Sequence, residues 1–535
     1  MNATIRFPTG CLVGLLLLVV YLLLTSFRID TGDGETVYQV TRSMVNGQGV
    51  AIPAPASDAT VVGPWGETIP HEELRGGGPY GAWGFDGRYY AQYGIGQSLL
   101  ALPLYVTGRA IHGVTSWGTE GLLTRTCAML LNPMVLAATG SLMYAVLRGL
   151  GYTKVAAACS ALSTGLATPL IVYSKTFFSE PTLGLMLTLA VWAVLRSRRD
   201  ENAHPDVLWR LCGGALGFAI LTKLTVLVVV PIFGVYAFLS RGRRWRKLFL
   251  LGVPIGFGLA GVLVYNTVRF GSPLETGYRT VALSSSPLTG LVGLFFSSGK
   301  GLLWYCPVVL LSVVGFAHWL RHRSSAAVLI LAVVSVYTVF IAWYSNWPGG
   351  GAWGARHLVP LVPLMMLPSA EVFERTVRRS RSSPVAGLLL GASLILQMPA
   401  VLVSPARTFQ SLYTRSESMT QYVQRLVYSP ADSPLLGQWR SLLEVFAMIR
   451  DPSIRSEIVR IALTSGAQEA TDPLTGALGY LAYNSVDVWP VHWSLLGAPV
   501  APTVAAVGLL VAVGGWLIWR LKVRLACVSD KRCGQ

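Results

Sequence analysis

Charge is what this chain has least of. Only 13% of its 535 residues are Asp, Glu, Lys or Arg, against 53% hydrophobic, and the mean hydropathy is +0.54. A soluble globular domain carries about a quarter charged residues, so that class is excluded. Disulfide and zinc chemistry have little to draw on, because no Cys-x-x-Cys pair or Cys/His ligand spacing occurs among seven cysteines and seven histidines. Five of those cysteines (Cys11, Cys127, Cys159, Cys212, Cys306) lie within or beside apolar runs. There is no nucleotide-binding loop: Gly299-Lys300-Gly301 lacks the GxxxxGK[ST] frame. The net charge of +17 is not a nucleic-acid signal, since the cations form short clusters between apolar runs and not one basic face.

What the chain has in abundance is long apolar runs, each of about 17–25 residues, the length that crosses a bilayer as a helix. They predict spans near 11–27, 122–147, 154–173, 178–196, 210–222, 224–240, 248–266, 301–320, 326–344, 357–373, 385–403 and 499–519. The expected fold is an all-α polytopic membrane helical bundle of about 12 spans. The first span has no small-x-small cleavage site after it and reads as a retained signal anchor. Segment 98–112, short and carrying Pro103 and Arg109, decides the topology. If it does not span, the basic clusters (Arg196 to Arg199, Arg241 to Lys247, Arg321/Arg323, Arg375 to Arg381, Arg520 to Arg524) all face the cytoplasm, as the positive-inside bias requires. It is then an interfacial or re-entrant helix. The chain divides into a module at 1–370, with a first outer loop at 28–121, and C-terminal spans at 371–535 with a helical outer segment at 404–498.

On that topology the polar motifs gather outside. Directly after the first span comes Asp30-Thr31-Gly32-Asp33-Gly34-Glu35. Either Asp30 or Asp33 would serve as a helix cap, but other outer segments also carry polar groups without structural need, which favours a functional Asp33. Asp86, Arg88 and Tyr89 belong to a turn followed by aromatic residues, suited to the headgroup belt or to stacking on a sugar. Glu180 opens a span at its outer mouth, as a cap or a second acid, and Lys175 in the same turn snorkels or binds. Lys223 is a lone cation between two apolar runs, there to bind an anion or to pair with a carboxylate. Later loops offer Arg269, Tyr278, Lys300, Trp347, Arg356 and His357, several beside glycines that let backbone amides approach a ligand. Arg356, after a glycine run at the top of a span, suits bidentate capture of a phosphate.

The order of these motifs resembles the GT-C superfamily of membrane glycosyltransferases. The nearest branch is that of protein mannosyltransferases with aminoarabinose and arabinofuranosyl transferases. The resemblance is carried by the acidic first loop, by Asp86 through Pro103, by Phe270-Gly271 to Gly277-Tyr278, by Gly299-Lys300-Gly301 and by Trp347 to Arg356. It implies that Asp33 is the first-loop catalytic carboxylate, although relatives often show an Asp-Glu or Glu-x-Asp pair where this chain has Asp33-Gly34-Glu35, so Glu35 is a second candidate base. Glu180 takes the place of the second acid. It further implies a polyprenyl-phosphate sugar as donor and a lipid, polysaccharide or protein as acceptor, outside a bacterial plasma membrane.

That chemistry suits the residues. A carboxylate takes the acceptor's proton, direct displacement inverts the anomeric centre, and Arg356, Lys300 or Lys223 meets the charge growing on the departing phosphate. A divalent metal, Mg or Mn, would also serve, though no ligand set stands out in the sequence. The alternative from another class is a transporter or flippase of a lipid-linked or anionic substrate. It would place ionisable groups near mid-membrane and show repeated halves, whereas here mid-span ionisable groups are few and the halves do not match.

Overall fold

Apolar length and the spacing of proline decide where this chain is helical. The computed structural model describes residues 8–54, 61–62, 68–69, 80–116, 118–198, 204–278, 283, 285–379, 383–469 and 473–526. Helices account for nearly all of its regular structure, and the chain is the all-α membrane bundle that its composition requires. Among the described residues, five helices are long and apolar enough to cross a bilayer: Glu120–Gly149, Arg244–Phe270, Ser324–Trp343, Pro384–Leu402 and Val500–Ala526.

The other expected spans are shorter or interrupted, and proline is the cause. Proline lacks an amide hydrogen and its ring clashes with the carbonyl four residues back. Pro169 separates Lys154–Leu166 from Leu170–Tyr173 within expected span 154–173. Pro307 divides 301–320, leaving helix Leu302–Tyr305 apart from Leu310–His322. In 357–373, Pro360, Pro363 and Pro368 produce an alternation of 3-10 turns (Arg356–Leu361, Leu367–Ser369) and short α segments (Val362–Met366, Ala370–Arg379).

The chain opens with α1 (Thr9–Leu24), buried on one side against the later helices. Small residues let the backbones close up: a Cβ on Gly14 would strike Ser141, and one on Gly165 would strike Leu17 and Tyr21. The first loop then holds α2 (Gly32–Val45), a three-stranded antiparallel sheet in the order β1 (Ala51–Ile52), β5 (Tyr89–Ala91), β4 (Gly81–Trp83), and a separate pair, β2 (Val61–Val62) with β3 (Thr68–Ile69). This small sheet is an addition to the all-helical expectation. Segment 98–112 is helical, within α3 (Gly96–Thr115), and leaves Val106, Ile111 and Val114 exposed. The next helices are α4 (Glu120–Ala128), α5 (Leu131–Gly149), α6 (Lys154–Leu166), α7 (Leu170–Tyr173), α8 (Glu180–Ser197) and α9 (Pro205–Thr222). After a 3-10 turn and α10 (Val230–Leu239) the chain returns in α11 (Arg244–Phe270).

α9 and α11 run parallel along a glycine seam. A Cβ on Gly213 would lie 2.3 Å from the Leu251 carbonyl, one on Gly217 2.5 Å from Pro254, and one on Gly258 2.3 Å from Gly217. Only hydrogen fits at those places, so the two backbones meet directly. Gly94 and Gly96 press in the same way on the last turn of α9, which brings the first loop onto this pair. In the expected outer segment 404–498, the chain forms six helices among the described residues.

The topology is testable with single cysteines after the accessible native cysteines are replaced by serine. Arg88, exposed in its turn, reports the first loop, and Trp245, 73% exposed, is expected on the opposite side. In intact cells Arg88→Cys should react with a membrane-impermeant thiol reagent and Trp245→Cys should not. Labelling of both, or of Trp245→Cys alone, would overturn the assigned orientation.

Candidate active site

The acidic cluster acquires its geometry from a single cap. The Thr31 side chain, not an aspartate, accepts the Gly34 amide at 3.1 Å and caps α2. Asp33, in the first turn of α2, is thereby free of a capping role. Its Oδ1 accepts the Tyr93 hydroxyl at 2.6 Å, and its Oδ2 accepts a hydrogen bond from the Arg356 guanidinium. Glu35 lies two residues on, about 200° around the helix, and so faces elsewhere. It pairs with Arg125 at 2.7 Å and accepts from Gln39 at 2.6 Å. The expectation of Glu35 as a second base beside Asp33 is therefore corrected by helix geometry.

Glu180 arrives from the other side. The turn before it is held by two fully buried amides: Asn132 donates to the carbonyls of Thr176 and Phe178 at 2.6 and 2.9 Å, and Gln97 donates to Asn132 and accepts from Thr182. Ser179 makes no side-chain cap, and Glu180 at the start of α8 is wholly buried. Its Oε1 accepts from Arg356 Nε at 2.9 Å and from Lys223 Nζ at 3.0 Å. Lys223 thus has the carboxylate partner that its lone position called for, placed there because α9 ends at Thr222 and the backbone turns extended. Arg356 follows Gly354, whose positive φ of 64° suits glycine, and its guanidinium also stacks 3.9 Å from the centre of Phe178. One arginine thereby joins two acids 147 residues apart in sequence (positions 33 and 180).

A cavity of about 450 Å³ opens beside this cluster, lined by Asp33, Arg356, Tyr173, Phe178, Trp353 and Phe409 among others. Its lining also carries a second polar group, Lys175 with Asp30 and Asp487, of which the sequence did not single out Asp487. Lys175, read as a snorkelling or binding cation, is buried here and pairs with Asp487 at 2.9 Å while donating to the Val401 carbonyl at 2.6 Å. Burial pushes the Asp30 carboxyl up, outweighing Arg28 nearby, and its Oδ1 is buried without a hydrogen bond. Burial would also raise Asp487, but Lys175 and Arg28 outweigh it and hold its carboxyl below the usual range. Asp487 escaped the sequence reading because it stands 312 residues beyond Lys175, in a segment read only as a helical outer segment.

Other predicted residues are spent elsewhere. Asp86 and Arg88 form an exposed turn, where Asp86 accepts the Tyr90 hydroxyl at 2.7 Å; neither lines the cavity. Tyr89 is buried in the small sheet against Trp83. Arg269 is buried, bonded to the Ala91 carbonyl and to Asn266 at 2.7 Å, so it pins the end of α11 to β5 and does not reach the cavity. Trp347 is buried with its ring against Gly293, a packing role. His357 stands beside the cluster but faces the Asn346 carbonyl at 3.2 Å. Tyr278 packs edge-on to Tyr93, with ring centres 6.3 Å apart, in a small side cavity shared with Asp33, Lys223 and Arg356.

Lys300 is wholly buried and donates to the carbonyls of Gly350 and Ala352, the first at 2.7 Å. It ties down the glycine loop that leads to Arg356 instead of binding a ligand directly. Burial, then the nearby Arg356 charge, pushes its ammonium down to about 7. A neutral amine keeps two hydrogens, enough for the two carbonyls.

A divalent ion does not fit what is present. Asp33 and Glu180 are bridged by cations, and no group of three or more His, Cys, Asp or Glu that would hold a metal gathers among the described residues.

Residues 95–270 match the family model described as dolichyl-phosphate-mannose-protein mannosyltransferase. This bears out the resemblance to GT-C glycosyltransferases, an enzyme class. No curated protein matches the chain in sequence. Among solved structures, ArnT from Cupriavidus metallidurans bound to undecaprenyl phosphate is similar at 16% identity, covering 88% of this chain and 84% of that one with a TM-score of 0.48. The same protein in the apo state gives 16%, 88%, 83% and 0.49. The apo oligosaccharyltransferase of Archaeoglobus fulgidus gives 12% identity, 83% of this chain, 64% of that one and a TM-score of 0.41.

Two stability outcomes follow from the buried lysines. Lys175→Met takes from the buried Asp487 its one hydrogen-bonded cation, and should cost about 3–5 kcal/mol. Lys175→Met with Asp487→Leu should recover much of that loss in chemical denaturation. For Lys300 the folded value lies below the unfolded one, near 10.5, so the unfolded chain binds the extra proton between them. Stability should therefore gain up to about 1.4 kcal/mol per pH unit from pH 7 toward 10 relative to Lys300→Met. Parallel pH profiles for the two proteins would contradict this.

Proposed function

We propose that this protein is an inverting glycosyltransferase that moves a sugar from a polyprenyl-phosphate donor to an acceptor hydroxyl on the extracytoplasmic face of a bacterial plasma membrane. The observation that carries the reading is the ion-paired cluster of Asp33, Glu180, Arg356 and Lys223, of which Asp33 and Arg356 line the large cavity and, with Lys223, the small one beside it. Two acids and two cations from four distant parts of the chain supply both halves of a phosphate-displacement reaction. The family match over residues 95–270 supports the same class.

In this reading the donor phosphate enters beside Arg356 and Lys223, which hold it by charge-assisted hydrogen bonds. The guanidinium then shares its donors between phosphate and Glu180, and Asp33 is released from its ion pair. Asp33 accepts the proton of the acceptor hydroxyl as the oxygen attacks the anomeric carbon. The new C–O bond forms while the bond from that carbon to the phosphate oxygen breaks, and its electron pair leaves with polyprenyl phosphate. One displacement inverts the centre. Charge grows on the leaving oxygen in the transition state, where Arg356 and Lys223 are already placed. Glu180, wholly buried, positions both cations. Tyr93 fixes the Asp33 rotamer through its 2.6 Å hydrogen bond. The acceptor, a lipid, polysaccharide or protein, reaches the same cavity.

A membrane assay with a panel of radiolabelled polyprenyl-phosphate sugars tests this. Asp33→Asn should lose transfer by about 10²–10⁴-fold with normal membrane insertion. Glu35→Gln should keep most of the activity, since its carboxylate is committed to Arg125. Full activity in Asp33→Asn would remove Asp33 as the base.

A further inference from the structure

A second cavity, also of about 450 Å³, lies between α2, α3 and α4 and shares no lining residue with the one beside Asp33. Three arginines line it: Arg42 from α2, Arg109 from α3 and Arg125 from α4. Glu120 is the one acid in its wall, 3.7 Å from Arg109. Arg125 is paired with Glu35, which lies outside the lining, and its guanidinium stacks 4.6 Å from the centre of the Tyr38 ring. Arg109 also donates to Asn46 at 3.2 Å. Arg42 has no carboxylate partner among the described residues, and its guanidinium meets Gln39 at a long 3.4 Å.

Three guanidinium groups facing two carboxylates, Glu120 in the wall and Glu35 behind Arg125, leave an excess of one positive charge in a concave, polar space. Arg42 carries that excess, since the other two arginines have carboxylates at hand, and an anion entering the cavity would neutralise it. Planar forks of N–H donors fit the oxygens of a phosphate, and Tyr38, Tyr105, Thr119 and Thr124 add further polar groups around them. The neighbouring surface has the complementary chemistry for a lipid tail: Val106, Ile111 and Val114 lie exposed along α3, with Arg109 at the border of that apolar strip. Asp33 and Arg42 both belong to α2, about 13 Å apart along its axis, so an occupant here would press on the helix that carries the proposed base.

We propose that this arginine cavity is a separate anion site that takes a phosphate group, carried either on an anionic lipid headgroup or on a soluble phosphate. It does not depend on the reaction proposed above, since none of its residues has a part in that chemistry.

The test uses the full chain in nanodiscs of phosphatidylcholine, in the same discs with inorganic phosphate added, and in discs containing phosphatidylglycerol. The readout is the melting temperature, which rises when a ligand binds the folded state. The wild type should gain several degrees in at least one of the two anion arms. A gain with phosphatidylglycerol alone assigns the site to lipid. A gain with inorganic phosphate alone assigns it to a soluble ligand, and a gain in both assigns it to the phosphate group itself. Arg42→Gln with Arg109→Gln should abolish the gain while leaving the melting temperature in plain phosphatidylcholine unchanged. No gain in the wild type, or an equal gain in the double variant, overturns the proposal. Should that variant fail to assemble, Glu120→Gln decides, because removing the neutralising acid should enlarge the gain; an equal or smaller gain overturns it.

Discussion

The bridge from Arg356 to Asp33 and Glu180 is the contact on which the arrangement of the site depends. Three segments that share no local structure meet there: the first turn of α2, the start of α8 and the 3-10 turn after the glycine loop. A wholly buried carboxylate is expensive to ionise without partners, and Glu180 has two cations on one oxygen. The same economy explains why the cluster is an anion site in waiting. A phosphate presents more acceptor oxygens than a single carboxylate, so it can take over donors that Asp33 now occupies without leaving Glu180 bare.

Around that bridge, buried ionic and polar groups do the holding. Gln97 and Asn132 secure the turn before Glu180, Lys300 secures the loop before Arg356, and Thr31 caps α2 so that Asp33 need not. Each spends its hydrogen bonds on backbone groups that irregular structure leaves unpaired. In a chain where proline interrupts several helices, such groups are numerous, and lipid offers them nothing. Lys175 does likewise in the cavity lining, where it also neutralises Asp487 and joins the segment before the last helix to the cavity.

The helical membrane character was legible from composition, whereas Asp33 and Glu180 were read together only from the order of the motifs and the resemblance it carries. The partner of Lys223 was legible as a need, not as a residue. Glu35 misled because proximity in sequence hides direction: two steps along a helix turn a side chain nearly to the opposite face. Arg269 and Lys300 misled for another reason. Lys300 read as a phosphate ligand and Arg269 as a binding residue, but the sequence does not reveal which loop carbonyls will lack partners, and those carbonyls claimed them. The small sheet in the first loop was missed because its strands are only two or three residues long, too short to show alternation. Asp487 was out of reach because its role exists only through contacts far along the chain.

The glycine seam between α9 and α11 has a mechanical consequence. Where backbone lies against backbone, no rotamers remain to absorb a displacement, so the two helices behave as a single stiff strut. Lys223 hangs from the end of one and Arg269 from the end of the other, and Arg269 in turn clasps the strand next to Tyr93. Stretching or thinning of the surrounding bilayer would tilt this strut as a whole, leaving the spacing between its two terminal cations fixed.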